Sequence, residues 1–335
     1  MKVGVIIGSA SGKGSAREAI TSLAARLQSC EVAACGGAFG CDEIPPAWQG
    51  LSSDSSEGYV ENLRKTVASL LGWGSDALIC IGGDGLASYV LDAMTGRGKK
   101  VPLLGIAMGT INVGPVVAFK TEDIPALDIS RLSLRSIDAV EVLVDGRHLA
   151  YALNDVVIGN SFLGTAGGEV VNLSARVLLR SGEKLKIDPS PHIAGSTFRL
   201  SKNGAPVATS MAQPAQIIVS PLGKREFFGR AIAGVLCNAA FMDGAAALGL
   251  FDTVLVKASR PSRGFGDTAR SEHLLFEKGD RLEIVGLADD ADIIVDGNPY
   301  AREGEVVSFR FCPDIAEAFA PPDGSRAGQE EIVWP

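Results

Sequence analysis

The chain has 335 residues, 46% apolar and 21% charged, and its 31 Lys and Arg against 39 Asp and Glu leave a formal charge of −8. That length fits about two domains, each large enough for its own core, while the acidic balance argues against nucleic acid and against stable association with an anionic membrane. Six cysteines without CxxC spacing and three scattered histidines disfavour a zinc site, and cysteines set in apolar runs (Cys80, Cys237) suit a reduced, cytoplasmic protein.

Met1-Lys2 runs directly into a strand, Val3 to Ile7, too short for a secretory h-region. A glycine and serine loop, Gly8 to Gly14, follows. Ser15 and Glu18 then stand at capping-box spacing ahead of a helix carrying Ala19, Ile20, Leu23, Ala24 and Leu27. A second helix presents Val60, Leu63, Val67, Leu70 and Leu71 on one face and leads through Gly72-Trp73-Gly74 into a buried strand, Ala77 to Ile81. That strand empties into Gly82-Gly83-Asp84-Gly85, with helical spacing from about Leu86. The next strand, Pro102 to Ile106, ends at Ala107-Met108-Gly109-Thr110-Ile111-Asn112. Repeated βα units predict a parallel sheet with ligands at the carboxyl ends of its strands.

Past about Phe119 the texture changes. Strand-like runs Ile137 to Val144 and Leu149 to Leu153 flank Asp145-Gly146, and equivalent turn dipeptides recur at Asn203-Gly204 and Asp296-Gly297. They predict a mainly antiparallel, β-sandwich-like second domain. Ala231 to Phe251, the most apolar long segment, is interrupted by Asn238 and Asp243 and reads as a buried helix or strand–helix junction rather than a membrane span. The expected division is residues 1–125, residues 126–315 and a polar tail, 316–335.

Gly82, Gly83 and Gly85 let main-chain N–H groups approach a phosphate and permit positive φ, and the following helix start adds its positive dipole end. Asp84 is the one side chain of this turn able to hold a metal or take a proton; its plainer role is to cap the helix. The loop of Gly109, Thr110 and Asn112 should open on the same sheet edge, and this convergence favours a phosphate site. Lys13 either is solvated or reaches a phosphate, outside any Walker A pattern. Asn154 and Asp155, set between apolar residues, form either a structural hydrogen-bonded pair or a substrate contact. Asp296 is a hairpin residue or a ligand. Lys224, Arg225 and Arg230 form a basic cluster, either a solvated loop or a clamp for an anionic substrate, and the basic loop Arg260 to Arg270 has no assigned role.

The Gly82-Gly83-Asp84-Gly85 turn within this layout resembles the superfamily of NAD kinases and diacylglycerol or sphingosine-type lipid kinases. Gly109-Thr110-Ile111-Asn112 is similar to the Gly-Thr-x-Asn segment of the lipid-kinase branch. Asn154-Asp155 is similar to the NAD-kinase Asn-acid segment that contacts the nucleotide substrate. Asp296-Gly297 resembles the late Asp-Gly hairpin, and Ser11-Gly12-Lys13 lies in a loop similar to the N-terminal Asn-Pro-x-Ser-Gly loop. Overall spacing is most similar to the ATP-NAD kinase-like proteins associated with acetoin catabolism.

The resemblance implies an α/β fold with a Rossmann-like N-terminal domain and a β-rich partner, and an active site in the cleft between them. It further implies ATP and Mg²⁺ as cofactors, NAD or a related small molecule as acceptor, and a homo-oligomer. By this reading Asp84 is catalytic and a Mg²⁺ ligand; Ser11, Gly12, Lys13, Gly82, Gly83, Gly85, Gly109, Thr110 and Asn112 bind nucleotide phosphate; Asn154 and Asp155 bind substrate. Pro221-Leu222-Gly223-Lys224-Arg225-Glu226 departs from the hydroxyl-rich NAD-kinase segment, which argues against NAD itself. The rival readings are a lipid kinase and a non-catalytic nucleotide-binding regulator; a dinucleotide-dependent dehydrogenase is disfavoured because no GxGxxG follows the first strand.

Overall fold

The computed structural model describes residues 1–8, 13–37, 39, 44–52, 58–108, 114–223, 244–258 and 268–321. The chain divides into two compact units, one of residues 1–137 and 314–335, the other of residues 138–313.

In the first unit β1 (Lys2–Ile7), α1 (Lys13–Arg26), β2 (Glu31–Cys35), β3 (Gln49–Leu51), α2 (Tyr59–Trp73), β4 (Ala77–Gly82), α3 (Asp84–Thr95), β5 (Leu103–Ala107) and β6 (Val117–Lys120) follow one another. The strands lie in the order β3-β2-β1-β4-β5, every neighbouring pair parallel, and β6 extends the β5 edge. Alternate residues of β1 explain the layers. Val3, Val5 and Ile7 pack with Ala19, Ile20 and Leu23 of α1. Gly4 faces the other way, where a Cβ would lie 3.2 Å from Leu70 Cβ of α2. A sheet covered on both faces needs apolar side chains at successive positions, which is why β4 is an unbroken apolar run. The order reverses between β1 and β4, so their carboxyl ends flank the crevice where such sheets take ligands.

α1 begins at Lys13, so Ser15 lies inside the helix and not at its cap. α3 begins at Asp84, two residues before the predicted start, with Gly83 as its N-cap.

The second unit is built of strands. It takes up the ends of β7 (Ser133–Val144) and β20 (Val307–Ala320) that fall within residues 138–313. Between them come β8 (Arg147–Ala152), β9 (Val156–Gly159), β10 (Ser161–Ala166), β11 (Glu169–Ser174), α4 (Ala175–Ser181), β12 (Ala194–Lys202), β13 (Ala205–Pro206), β14 (Gln216–Pro221), β15 (Ala245–Phe251), β16 (Ser271–Glu277), β17 (Leu282–Leu287), β18 (Asp292–Val295) and β19 (Asn298–Tyr300). In an antiparallel sheet, β16-β15-β14-β9-β18-β19, the four central strands are buried on both faces. Val156, Ile158, Ile217, Val219, Ile293 and Val295 join the large core with Val140, Leu200, Ile284 and Phe309. The intervening Val157, Ile218 and Ile294 pack beneath the β10–β11 hairpin and α4 with Phe162 and Leu173.

The three turn dipeptides are two-residue hairpins with both residues at positive φ: Asp145 (47°) and Gly146 (76°), Asn203 (55°) and Gly204 (79°), Asp296 (48°) and Gly297 (81°). The described end of the Ala231 to Phe251 segment, Ala245–Phe251, is a fully buried strand. Residues 316–320, predicted to start the tail, are the end of β20.

Candidate active site

Three strand ends meet around the glycine-rich turn. The Gly8 N–H donates to Ile81 O at 2.9 Å, and the Met108 N–H donates to Gly82 O at 3.3 Å, so the chain leaves β1, β4 and β5 side by side. Gly83 has φ −101° and ψ −179°, ordinary extended backbone, and neither Gly82 nor Gly85 has positive φ. The freedom to take positive φ is therefore not used here; the glycines supply the absence of side chains. The N-cap residue of α3 is Gly83, which has no side chain to cap with, and the first turn of the helix presents the positive dipole end toward the carboxyl edge of the sheet.

Asp84 is the first residue of α3 and half-buried. Its carboxylate accepts the N–H of Gly114 at 2.8 Å, from the segment that follows β5. A Cβ on Gly114 would lie 2.8 Å from Asp84 Oδ1 and 2.9 Å from its Cγ, closer than carbon atoms approach these groups. Gly114 was not singled out in the sequence; the Gly114-Pro115 dipeptide marks a turn there but carries no sign of its partner thirty residues upstream.

Ser11, Gly12, Gly109, Thr110 and Asn112 lie outside the described residues, as do the Lys13 side chain, Lys224, Arg225 and Arg230. Of the Arg260 to Arg270 loop, Arg270 is described: its N–H donates to Asp252 Oδ1 at 2.8 Å and its guanidinium pairs with Glu272 at 3.2 Å.

Asn154 and Asp155 belong to the second unit, in the turn from β8 to β9. Asp296 holds that turn by its main chain: Oδ1 accepts the N–H groups of Asn154 (2.8 Å) and Asp155 (3.0 Å), and Oδ2 accepts that of Leu153 (2.8 Å). The Asp296 N–H returns a bond to Asp155 O at 3.0 Å. Asn154 Nδ2 donates to Asp155 Oδ2 at 2.9 Å, and the Asn154 main-chain carbonyl accepts the Ser220 hydroxyl at 2.7 Å. Asn154 Oδ1 is buried and, among the described residues, accepts no hydrogen bond. Asp296 is thus a hairpin residue whose carboxylate is engaged by three main-chain donors.

No group of three or more His, Cys, Asp or Glu suited to a metal stands among the described residues. A Mg²⁺ that rides on a nucleotide needs only one or two carboxylates, the rest of its shell coming from phosphate and water, and a single half-buried aspartate at a helix start fits that donor set. His148 Nδ1 lies 3.1 Å from Glu141 Oε1, and that hydrogen bond is the largest cause holding the Glu141 carboxyl below its ordinary value. Burial lowers His273. Burial pushes the Cys80 thiol up to about 12, and no helix among the described residues is long and apolar enough to cross a membrane.

Residues 2–144 match the diacylglycerol kinase catalytic domain family. An uncharacterized protein of Archaeoglobus fulgidus is 34% identical over 114 residues, a stretch spanning 34% of this chain and 34% of that relative. A putative diacylglycerol kinase from Bacillus anthracis str. Sterne superposes with a TM-score of 0.57 at 14% identity, covering 96% of this chain and 98% of its own. Yeast NADH kinase complexed with NADH superposes at 0.52 and 13% identity, covering 96% and 83%. At such identities the solved structures speak to the fold.

Proposed function

We propose that this chain is an ATP-dependent kinase, transferring the γ-phosphoryl of ATP to a hydroxyl of NAD or a related small molecule, a reading supported by the family match over residues 2–144 and by the fold it shares with the solved kinases. The observation that carries this reading is the single carboxylate of Asp84, held by the Gly114 N–H at the carboxyl edge of a parallel sheet where the strand order reverses.

Phosphoryl transfer asks little covalent chemistry of the protein; it needs positioning and charge neutralisation. The glycine turn and the start of α3 would receive the ATP phosphates with main-chain N–H groups, joined by Ser11, Gly12, Lys13, Gly109, Thr110 and Asn112. Mg²⁺, when bound, neutralises charge on the β- and γ-phosphates, and Asp84 is the residue assigned to hold it or to take the proton of the attacking hydroxyl. In the transfer the acceptor oxygen bonds to the γ-phosphorus, the bond to the β–γ bridging oxygen breaks, and ADP leaves. Asn154 and Asp155 would bind the acceptor. The buried Oδ1 of Asn154, which accepts no hydrogen bond among the described residues, suits a polar donor on that acceptor.

A lipid acceptor is the second reading, favoured by the family match over residues 2–144 and by Gly109-Thr110-Ile111-Asn112. The test is ATP consumption with Mg²⁺ against NAD, NADH, small keto-alcohols and detergent-dispersed diacylglycerol, with Asp84→Asn in parallel. Turnover with one acceptor, lowered about 10²–10³-fold in Asp84→Asn, supports the kinase and names its substrate. Saturable ATP binding without turnover in either protein sinks it and leaves a nucleotide-binding regulator.

A further inference from the structure

The segment that touches Asp84 is itself fixed from several sides. The Gly105 N–H of β5 donates to Val116 O at 3.2 Å, and a Cβ on Gly105 would lie 2.6 Å from that oxygen, so β5 and this segment lie against each other main chain to main chain. The Ala118 N–H donates to the same carbonyl at 3.0 Å. One residue earlier, the Arg135 guanidinium donates to Pro115 O at 3.1 Å. The next residue back is Gly114, with its N–H on Asp84 Oδ2 and its bare Cα against Oδ1 and Cγ.

We infer that Gly114 is a positioning residue: its N–H and its missing side chain together set the one orientation in which the Asp84 carboxylate serves nucleotide-bound metal and phosphoryl transfer. The inference rests on the kinase reading of Asp84 but makes its own claim about Gly114. Any side chain here must push against the carboxylate or the segment. Arg135 and Gly105 hold the segment and helix α3 holds the Asp84 main chain, so the carboxylate, the end of a side chain, is the group that turns aside. A displacement of the catalytic group by about 1 Å lowers turnover about 10²-fold.

The test compares Gly114→Ala, Asp84→Asn and the double variant. Gly114→Ala should lower kcat about 10²-fold with little change in acceptor KM, and the double variant should be no worse than Asp84→Asn, because the alanine then has no working carboxylate left to misplace. A loop that is merely destabilised would instead multiply its loss onto Asp84→Asn. That result, or an unchanged kcat, overturns the inference.

Calorimetric titration with ATP, with and without Mg²⁺, separates this from the kinase reading. A wild type without turnover refutes the kinase, whereas positioning still requires the Mg²⁺-dependent gain in ATP affinity to be lost in Gly114→Ala; absence of that gain in the wild type overturns both. Amide hydrogen exchange in the wild type and Asp84→Ala needs no Gly114 variant. Exchange at Gly114 should accelerate at least about tenfold when the carboxylate is removed, and equal rates overturn the contact itself.

Discussion

Asp296 Oδ1 accepts the N–H of Asn154 at 2.8 Å across 142 residues of sequence. The same oxygen takes the Asp155 N–H and Oδ2 takes that of Leu153, so one buried carboxylate satisfies three consecutive main-chain donors. Donors left without an acceptor in the interior cost about 1–3 kcal/mol each. Asp296→Ala should therefore destabilise by about 3 kcal/mol or more, read from the urea midpoint. Asp296→Asn keeps one acceptor oxygen and a side chain tolerant of positive φ, so its loss should be about half as large.

The hairpins show why this much was legible. Asp-Gly and Asn-Gly declare themselves because only such residues take positive φ readily, and all three sit where the sequence puts them. What the turn side chains hold is not written locally. Asp145 Oδ1 accepts from Val306 N–H at 2.9 Å, and Asn203 Oδ1 from Arg281 N–H at 2.8 Å. The partner in each case is a main-chain group with no compositional mark. Gly114 was missed for the same reason. Ala245–Phe251 was legible as buried but not as a strand, because a strand buried on both faces has no period of two.

A second prediction concerns acid. The Lys202 ammonium, 2.8 Å from Asp280 Oδ2, with the Glu277 N–H and the Asn203 amide, holds the Asp280 carboxyl down to about 2. A carboxyl depressed in the folded state stabilises fully above its unfolded value and loses that contribution as pH falls through the folded one. Stability should thus decline between about pH 4 and pH 2. Asp280→Asn should flatten that part of the profile while matching its shape near neutrality, as read by urea denaturation across the range.

Gly286 lies in β17 opposite an irregularity in β12, where the register shifts between Ala194 and Arg199. Its φ is +74°, and a Cβ would stand 2.4 Å from the Thr197 carbonyl carbon and 2.6 Å from Phe198 N. Main chain cannot rotate aside as a side chain can. Gly286→Ala should cost about 3 kcal/mol or more, whereas Gly146→Ala, with open space around its Cα, should cost only the left-handed penalty of about 1–2 kcal/mol. Thermal unfolding of the pair separates backbone clash from backbone strain.

Asn154 separates binding from stability. Its side chain contributes one hydrogen bond, from Nδ2 to Asp155, while its Oδ1 is buried without a donor among the described residues. A made hydrogen bond contributes about 1 kcal/mol net, and an unmet buried acceptor costs about as much. Asn154→Ala should accordingly shift stability by no more than about 1 kcal/mol. If that oxygen receives a donor from the acceptor substrate, the same variant should raise KM for that substrate at least about tenfold, leaving ATP affinity unchanged. A large loss of stability with an unaltered KM would return Asn154 to a structural role.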